Sequence, residues 1–239
     1  MELMYIAETF YSIQGEGKFI GIPTFFIRTS GCNLRCEWRD VGTSEVTRCD
    51  TPYTSWNPVG THESVDELVL HKVMVTNAEY VDITGGEPFL QKELPELASA
   101  LVSRSYHVSV ETNGTIFKEL PAEVYMSISP KLNNSVPMGS RYEAMHRQAM
   151  RNDDAMRILM DRHDYQFKFV IAEQQDIDDV ELLRLALRIP PEKIYLMPEG
   201  IDSETIRARS EWIVELCKVH GFNFSDRLHI HLWGNRRGV

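Results

Sequence analysis

Apolar positions along the chain change their period several times. Short runs rich in β-branched and aromatic residues occur at 5–11, 24–28, 80–84, 107–111, 124–129, 166–171, 194–197 and 228–232, and each predicts a strand. Between several of these runs the spacing turns helical. Ser64-x-x-Glu67 has the form of a capping box and opens a helix with Val65, Leu68 and Val69 on one face. Further helices are predicted over 93–104, 143–161, 178–188 and 203–220, with Pro190 and Pro191 ending the fourth of the five and Gly221 the last.

Strand–helix alternation of this kind predicts an α/β fold with a mostly parallel sheet and crossover helices. The interval between Glu111 and Val124 is short for a full helix, so a barrel built from these units is expected to be partial. No repeat, low-complexity segment or linker interrupts residues 1–239, which are expected to form a single domain. The least ordered stretch is expected at 133–140, with two Asn, a Pro and a Gly.

Composition narrows the class. With 43% apolar and 25% charged residues the chain can bury a sizeable core. A net charge of -10 leaves no basic footprint for nucleic acid. No run approaches the roughly 18 apolar residues of a membrane span, and Glu2 and Glu8 stand where a secretory signal would be basic and then apolar. A cytoplasmic, reducing setting, with no nucleic-acid or membrane partner, is the expectation.

The chemistry begins with cysteine. Three of the four cysteines, Cys32, Cys36 and Cys49, fall within eighteen residues directly after a predicted strand. Clustered cysteines in a reducing compartment point to a metal rather than to disulfides. Three thiolates on a loop suit an iron–sulfur cluster with one open iron. Zinc is the competing metal, but a structural site needs four ligands and the nearest downstream histidine is His62. Cys217, on the last predicted helix with Ile206 and Ile213, reads as a small core residue.

With Gly31-Cys32-Asn33-Leu34-Arg35-Cys36, this cysteine pattern resembles the radical S-adenosylmethionine (SAM) superfamily, whose three cysteines are spaced three and then two residues apart. The first gap matches. The second holds twelve residues, and removing 39–48 would leave Cys36-Glu37-Trp38-Cys49, the usual spacing. An insertion at about 39–48 is therefore expected in the cluster loop. The resemblance implies a partial, modified (β/α) barrel, a 4Fe-4S cluster on Cys32, Cys36 and Cys49, and SAM as cofactor.

Thr84-Gly85-Gly86-Glu87-Pro88 follows a strand end, where glycines let backbone approach a ligand and barrels place active sites. By the resemblance, Gly86, Glu87, Glu111, Asn113, Ser129, Pro130 and Lys131 bind SAM. Ile13-Gln14-Gly15-Glu16 offers amide and carboxylate groups to the edge of a heterocycle, and Arg28 a fork for a carboxylate. Asp50 and Thr51 supply hard oxygens beside the cluster, suited to Mg2+.

Within the superfamily the chain is similar to the lyases that build a 7-deazapurine from a carboxylated tetrahydropterin, in the queuosine and related pathways. That similarity implies hydrogen abstraction by a 5′-deoxyadenosyl radical, ring contraction and loss of ammonia. It implies substrate contacts from Ile13, Gln14, Gly15, Glu16, Arg28, Thr84 and Val239, and Mg2+ on Thr51. A flavodoxin-like electron donor and a homodimer are expected partners. Two rivals stand beside it. One is a glycyl-radical-enzyme activase, which shares the cysteine loop but acts on a partner protein. The other is a non-catalytic Cys-metal module, which leaves the glycine-rich strand ends unexplained. His229 and His231 alternate on the predicted last strand and would share a face, one that either lines the pocket or, the preferred reading, faces solvent.

Overall fold

Runs of Val, Ile, Phe and Tyr pair side by side in the computed structural model, which describes residues 3–39 and 45–239. In chain order the strands are β1 (Met4–Ile13), β2 (Pro23–Thr29), β3 (Glu37–Arg39), β4 (Val46–Arg48), β5 (Thr61–Glu63), β6 (Tyr80–Gly85), β7 (His107–Thr112), β8 (Tyr125–Ile128), β9 (Tyr165–Ile171), β10 (Ile194–Pro198) and β11 (Asn223–Phe224). The helices are α1 (Pro52–Ser55), α2 (Val65–Leu68), α3 (Leu94–Val102), α4 (Glu143–Ala149), α5 (Asp153–Arg162), α6 (Asp176–Leu187), α7 (Ser203–His220) and α8 (Leu228–Trp233).

Nine strands form one sheet in the order β11-β10-β9-β8-β7-β6-β2-β1-β5. From β2 to β11 every pairing is parallel, while β1 and β5 are antiparallel. The sheet is mostly parallel, as expected of a partial barrel. No helix spans β7 to β8.

Alternation along each strand sorts the two faces. Val81, Ile83, Val108 and Val110 join the buried core beneath α3. Asp82, Thr84, Ser109 and Glu111 alternate with them and give the concave face its polar character. No helix among the described residues is long and apolar enough to cross a membrane.

Local sequence accounts for most helix ends. The capping box at Ser64 and Glu67 forms in both directions, and the helix continues as a π-helical turn over Val69–Val73. The helix at 203–220 has its predicted bounds, with Asp202 capping its start and Gly221 left-handed at its end.

Three expectations are corrected. The segment 143–161 is two helices, because the Asn152 side chain accepts from the Ala155 N–H and starts α5 afresh. Residues 228–232 belong to α8, not to a strand, so His229 and His231 do not share a face. The stretch 133–140 is anchored: Asn133 and Asn134 bond to Asp179 and Asp176 of α6, and Ser135 and Val136 are buried. The 39–48 insertion lies partly outside the described residues; its flanks are the antiparallel pair β3 and β4. Cys217 is buried on α7, as a small core residue would be.

Candidate active site

The C-terminal ends of the parallel strands open on a cavity of about 250 Å3. Cys32, Cys36 and Cys49 line it together with Thr51, Gly86, Asn113, Ser129 and Lys131, and with Ile13, Gln14, Gly15, Glu16, Arg28, Thr84, Glu111 and Val239. Elements more than two hundred residues apart in sequence thus meet at one site. Glu87 and Pro130 lie behind the lining. The Glu87 carboxylate is fully buried and accepts from Phe89 N–H, the Thr112 hydroxyl and Asn113 N–H, which clamps the end of β6 to the end of β7.

The cysteine loop is stitched to its neighbours by backbone. Gly31 N–H donates to the Thr54 carbonyl at 2.8 Å, and Glu87 N–H donates to the Gly31 carbonyl at 2.8 Å. Gly86 passes so close that a Cβ there would lie 2.1 Å from the Gly31 oxygen. From below, Arg35 N–H donates to His146 Nδ1 at 3.2 Å. Asn33 and Asn113 bond at 2.9 Å and tie the loop to the turn after β7. Cys49 N–H donates to the Cys36 carbonyl at 3.1 Å, so the second and third thiols sit side by side despite the twelve residues between them.

The donor set fits an iron–sulfur cluster. Burial pushes the Cys32 thiol up to about 12 and raises Cys36 and Cys49 as well. Bound metal reverses that preference, since a coordinating thiol is deprotonated outright. Among the described residues no three His, Cys, Asp or Glu side chains converge on a point that would hold a single ion. A polynuclear cluster takes one thiolate per iron and needs no such point. His62, the zinc rival's nearest ligand, stacks on Tyr5 of β1 with ring centroids 5.0 Å apart.

Opposite the thiols runs a chain of charges. Lys168, on β9, bonds to Glu16 and, at 3.0 Å, to Glu111; Thr84 donates to the other Glu111 oxygen at 2.8 Å. Arg227 reaches Glu16 at 3.2 Å and also pairs with Asp50, next to Cys49. Burial alone would raise the Glu16 pKa, but Lys168 and Arg227 hold it well below the usual carboxylate range. At the mouth, Arg28 Nε bonds to Glu8 at 2.8 Å, Tyr53 donates to the same carboxylate at 2.6 Å, and Arg237 reaches it at 3.2 Å. Arg237 also lies 3.6 Å over the Tyr53 ring.

Glu8, Tyr53, Lys168, Arg227 and Arg237 line the cavity without having been singled out for it from sequence, and His229 takes the pocket-lining of its two readings. Lys168 carried a signal: a lysine amid Phe167 and Phe169 on a buried strand is rare unless paired. Arg227 and Arg237 lie in irregular segments and carried none. His229 packs against Gly15, where a Cβ would fall 2.2 Å from its Nδ1, while His231 points to Asp226 at 3.1 Å.

The radical SAM superfamily model matches residues 26–172. The chain is 37% identical to the 7-carboxy-7-deazaguanine synthase of Halobacterium salinarum, over 96% of this chain and 90% of that protein. It is 36% identical to the 7-carboxy-7-deazaguanine synthase of Rhodopirellula baltica, over 99% and 89%. Among solved structures, QueE from Escherichia coli superposes with a TM-score of 0.66 and 24% identity, covering 95% of each chain, a likeness of fold.

Proposed function

The chain belongs to the 7-carboxy-7-deazaguanine synthase family of radical SAM lyases, and on that premise we propose that its cavity converts 6-carboxy-5,6,7,8-tetrahydropterin to 7-carboxy-7-deazaguanine with loss of ammonia. The observation that carries this reading is the meeting of three thiols, the Gly86 strand end and Arg28 in one cavity. Cys32, Cys36 and Cys49 would hold the cluster, and Gly86, Asn113, Ser129 and Lys131 would hold SAM beside it. When bound, the cluster and SAM supply the radical that abstracts hydrogen.

The chain's own residues orient the substrate and exclude water. Arg28 receives the substrate carboxylate, with Glu8 keeping the guanidinium in place at the mouth. Thr51, whose hydroxyl lies 3.4 Å from Cys49 Sγ, would supply a hard oxygen to Mg2+. Gln14 and Glu16 face the heterocycle, and the segment reaching Val239 closes over it. A flavodoxin-like electron donor, a homodimer and a cytoplasmic setting extend the same family reading, with residues 1–239 acting as one domain.

The deciding experiment is an anaerobic assay with reductant, SAM, Mg2+ and the carboxypterin. The deazaguanine product and released ammonia are expected; an intact cluster that turns over SAM without this product overturns the substrate assignment. For Cys49→Ala, loss of both cluster and turnover is expected, read from iron content and the cluster's visible absorption. A variant that keeps both would mean Cys49 is not the third ligand.

A further inference from the structure

Lys168 is the most enclosed cation lining the cavity. Its side chain is 5% exposed, it projects from the middle of β9, and its ammonium lies between two carboxylates from distant segments. Glu16 comes from the loop after β1 and Glu111 from the end of β7. Glu16 has a second cation in Arg227; Glu111 also accepts from the Thr84 hydroxyl and feels the charge of Arg28. Asp82 lies behind Glu111 on the same concave face, fully buried, with Ser109 donating to one oxygen.

Stability does not explain this arrangement. A buried ion pair contributes little or nothing over a well-packed apolar replacement, because the charges must be desolvated. The cluster does have a chemical consequence. Two carboxylates facing one cavity repel each other unless a cation stands between them. Lys168 stands between Glu16 and Glu111 and offsets that repulsion. Each of their oxygens accepts one bond from the protein, which leaves further lone pairs to accept from a ligand in the cavity.

We propose that Lys168 is a positioning residue for substrate: it fixes Glu16 and Glu111 as a pair of acceptors that read the N–H edge of an aminopyrimidinone ring, while Arg28 takes the carboxylate; Glu111, which the resemblance assigns to SAM, is thereby given to the substrate side. This inference rests on the carboxypterin reading above. It divides recognition between an anion site at Arg28 and an acceptor pair at Glu16 and Glu111. Lys168 touches neither the thiols nor Gly86, so its removal weakens substrate binding and leaves SAM binding in place.

The test is equilibrium titration of 6-carboxy-5,6,7,8-tetrahydropterin into unreduced, cluster-loaded enzyme under argon, where no turnover occurs, with SAM titrated separately. Wild type must bind the pterin; if it does not, the substrate assignment falls, and this inference with it. Where wild type binds, Lys168→Met is expected to weaken pterin binding by about tenfold or more, the scale of lost charge-assisted hydrogen bonds, with SAM affinity unchanged. Lys168→Met/Glu111→Gln, which removes the uncompensated carboxylate, is expected to recover part of the loss. Pterin affinity unchanged in Lys168→Met, parallel loss of pterin and SAM affinity, or no recovery in the double variant would each overturn the proposal. If Lys168→Met does not fold, Lys168→Arg takes its place. It keeps the charge and loses the single nitrogen shared by the two carboxylates, so weaker pterin binding with intact SAM binding is expected, and unchanged pterin binding overturns it.

Discussion

At the residue scale, two small features hold the cysteine loop in place, and each makes a prediction. Gly86 runs against backbone: an added Cβ would meet the Gly31 oxygen at 2.1 Å and the Thr54 oxygen at 2.9 Å. Backbone cannot swing aside as a flexible side chain does. Gly86→Ala is therefore expected to cost about 1–3 kcal/mol, the usual range for overpacking, and to displace the loop that carries Cys32. Urea unfolding and iron content of the reconstituted variant measure the two effects. His146 supports the same loop from the other side. Burial lowers its pKa to about 4 from 6.5, and the Arg35 N–H aimed at Nδ1 requires that nitrogen to be unprotonated. The unfolded chain takes up a proton from this site below pH 6.5, whereas the folded chain resists until about 4. The contribution of His146 is thus intact above the unfolded value and lost as pH falls through that window, by up to roughly 3 kcal/mol. Comparing urea unfolding of wild type and His146→Gln at neutral and acid pH measures it: the loss on acidification should be smaller in the variant.

At the scale of elements, the parallel strands from β2 to β10 were legible because each is a short apolar run bounded by turn residues, whereas the two-residue β11 was too short to leave a pattern. Cysteine spacing and strand-end glycines located the site for the same reason: the chemistry needs those residue types close together in sequence. Legibility failed where the pattern is short or where the partner is distant. Leu228-His-Ile-His-Leu alternates like a strand, but five residues do not separate a period of 2 from one of 3.6, and it folds as α8. Asn152 followed by Asp153 and Asp154 is an N-cap with an acidic first turn, and it divides what periodicity alone joins. The charge chain through Lys168 and Arg227 joins five segments that no local pattern connects. The insertion at 39–48 makes a prediction of its own. Cys49 N–H already bonds to the Cys36 carbonyl, the contact that closes a four-residue turn. Deleting 39–48 should leave cluster content unchanged, with stability altered only by the loop-length term of about 0.6 kcal/mol per doubling. Iron analysis and unfolding of the deletion variant check it; loss of the cluster would show that the insertion shapes the ligands.

At the scale of the molecule, the cavity is closed by opposite ends of the described chain. Glu8 lies near the start of β1, and the Arg237 that reaches it follows the last helix. Arg237 is half-exposed, so its contact with Glu8 and its place over Tyr53 contribute modestly. Removing residues 235–239 is expected to weaken carboxypterin binding by about threefold to tenfold while SAM affinity and cluster content hold. Titration of each ligand into the truncated enzyme separates this from general unfolding, in which all three would fall together.

The order of synthesis gives that closure another meaning. The thiol at position 49 is made roughly 190 residues before Arg237. At about 5–20 residues per second, translation leaves the cysteine loop without its C-terminal cover for on the order of ten seconds or more. During that interval an iron–sulfur donor would have open access to three cysteines that residues 235–239 later help to enclose. The covering segment is made after the ligands it covers, so metal loading and closure can be separate steps.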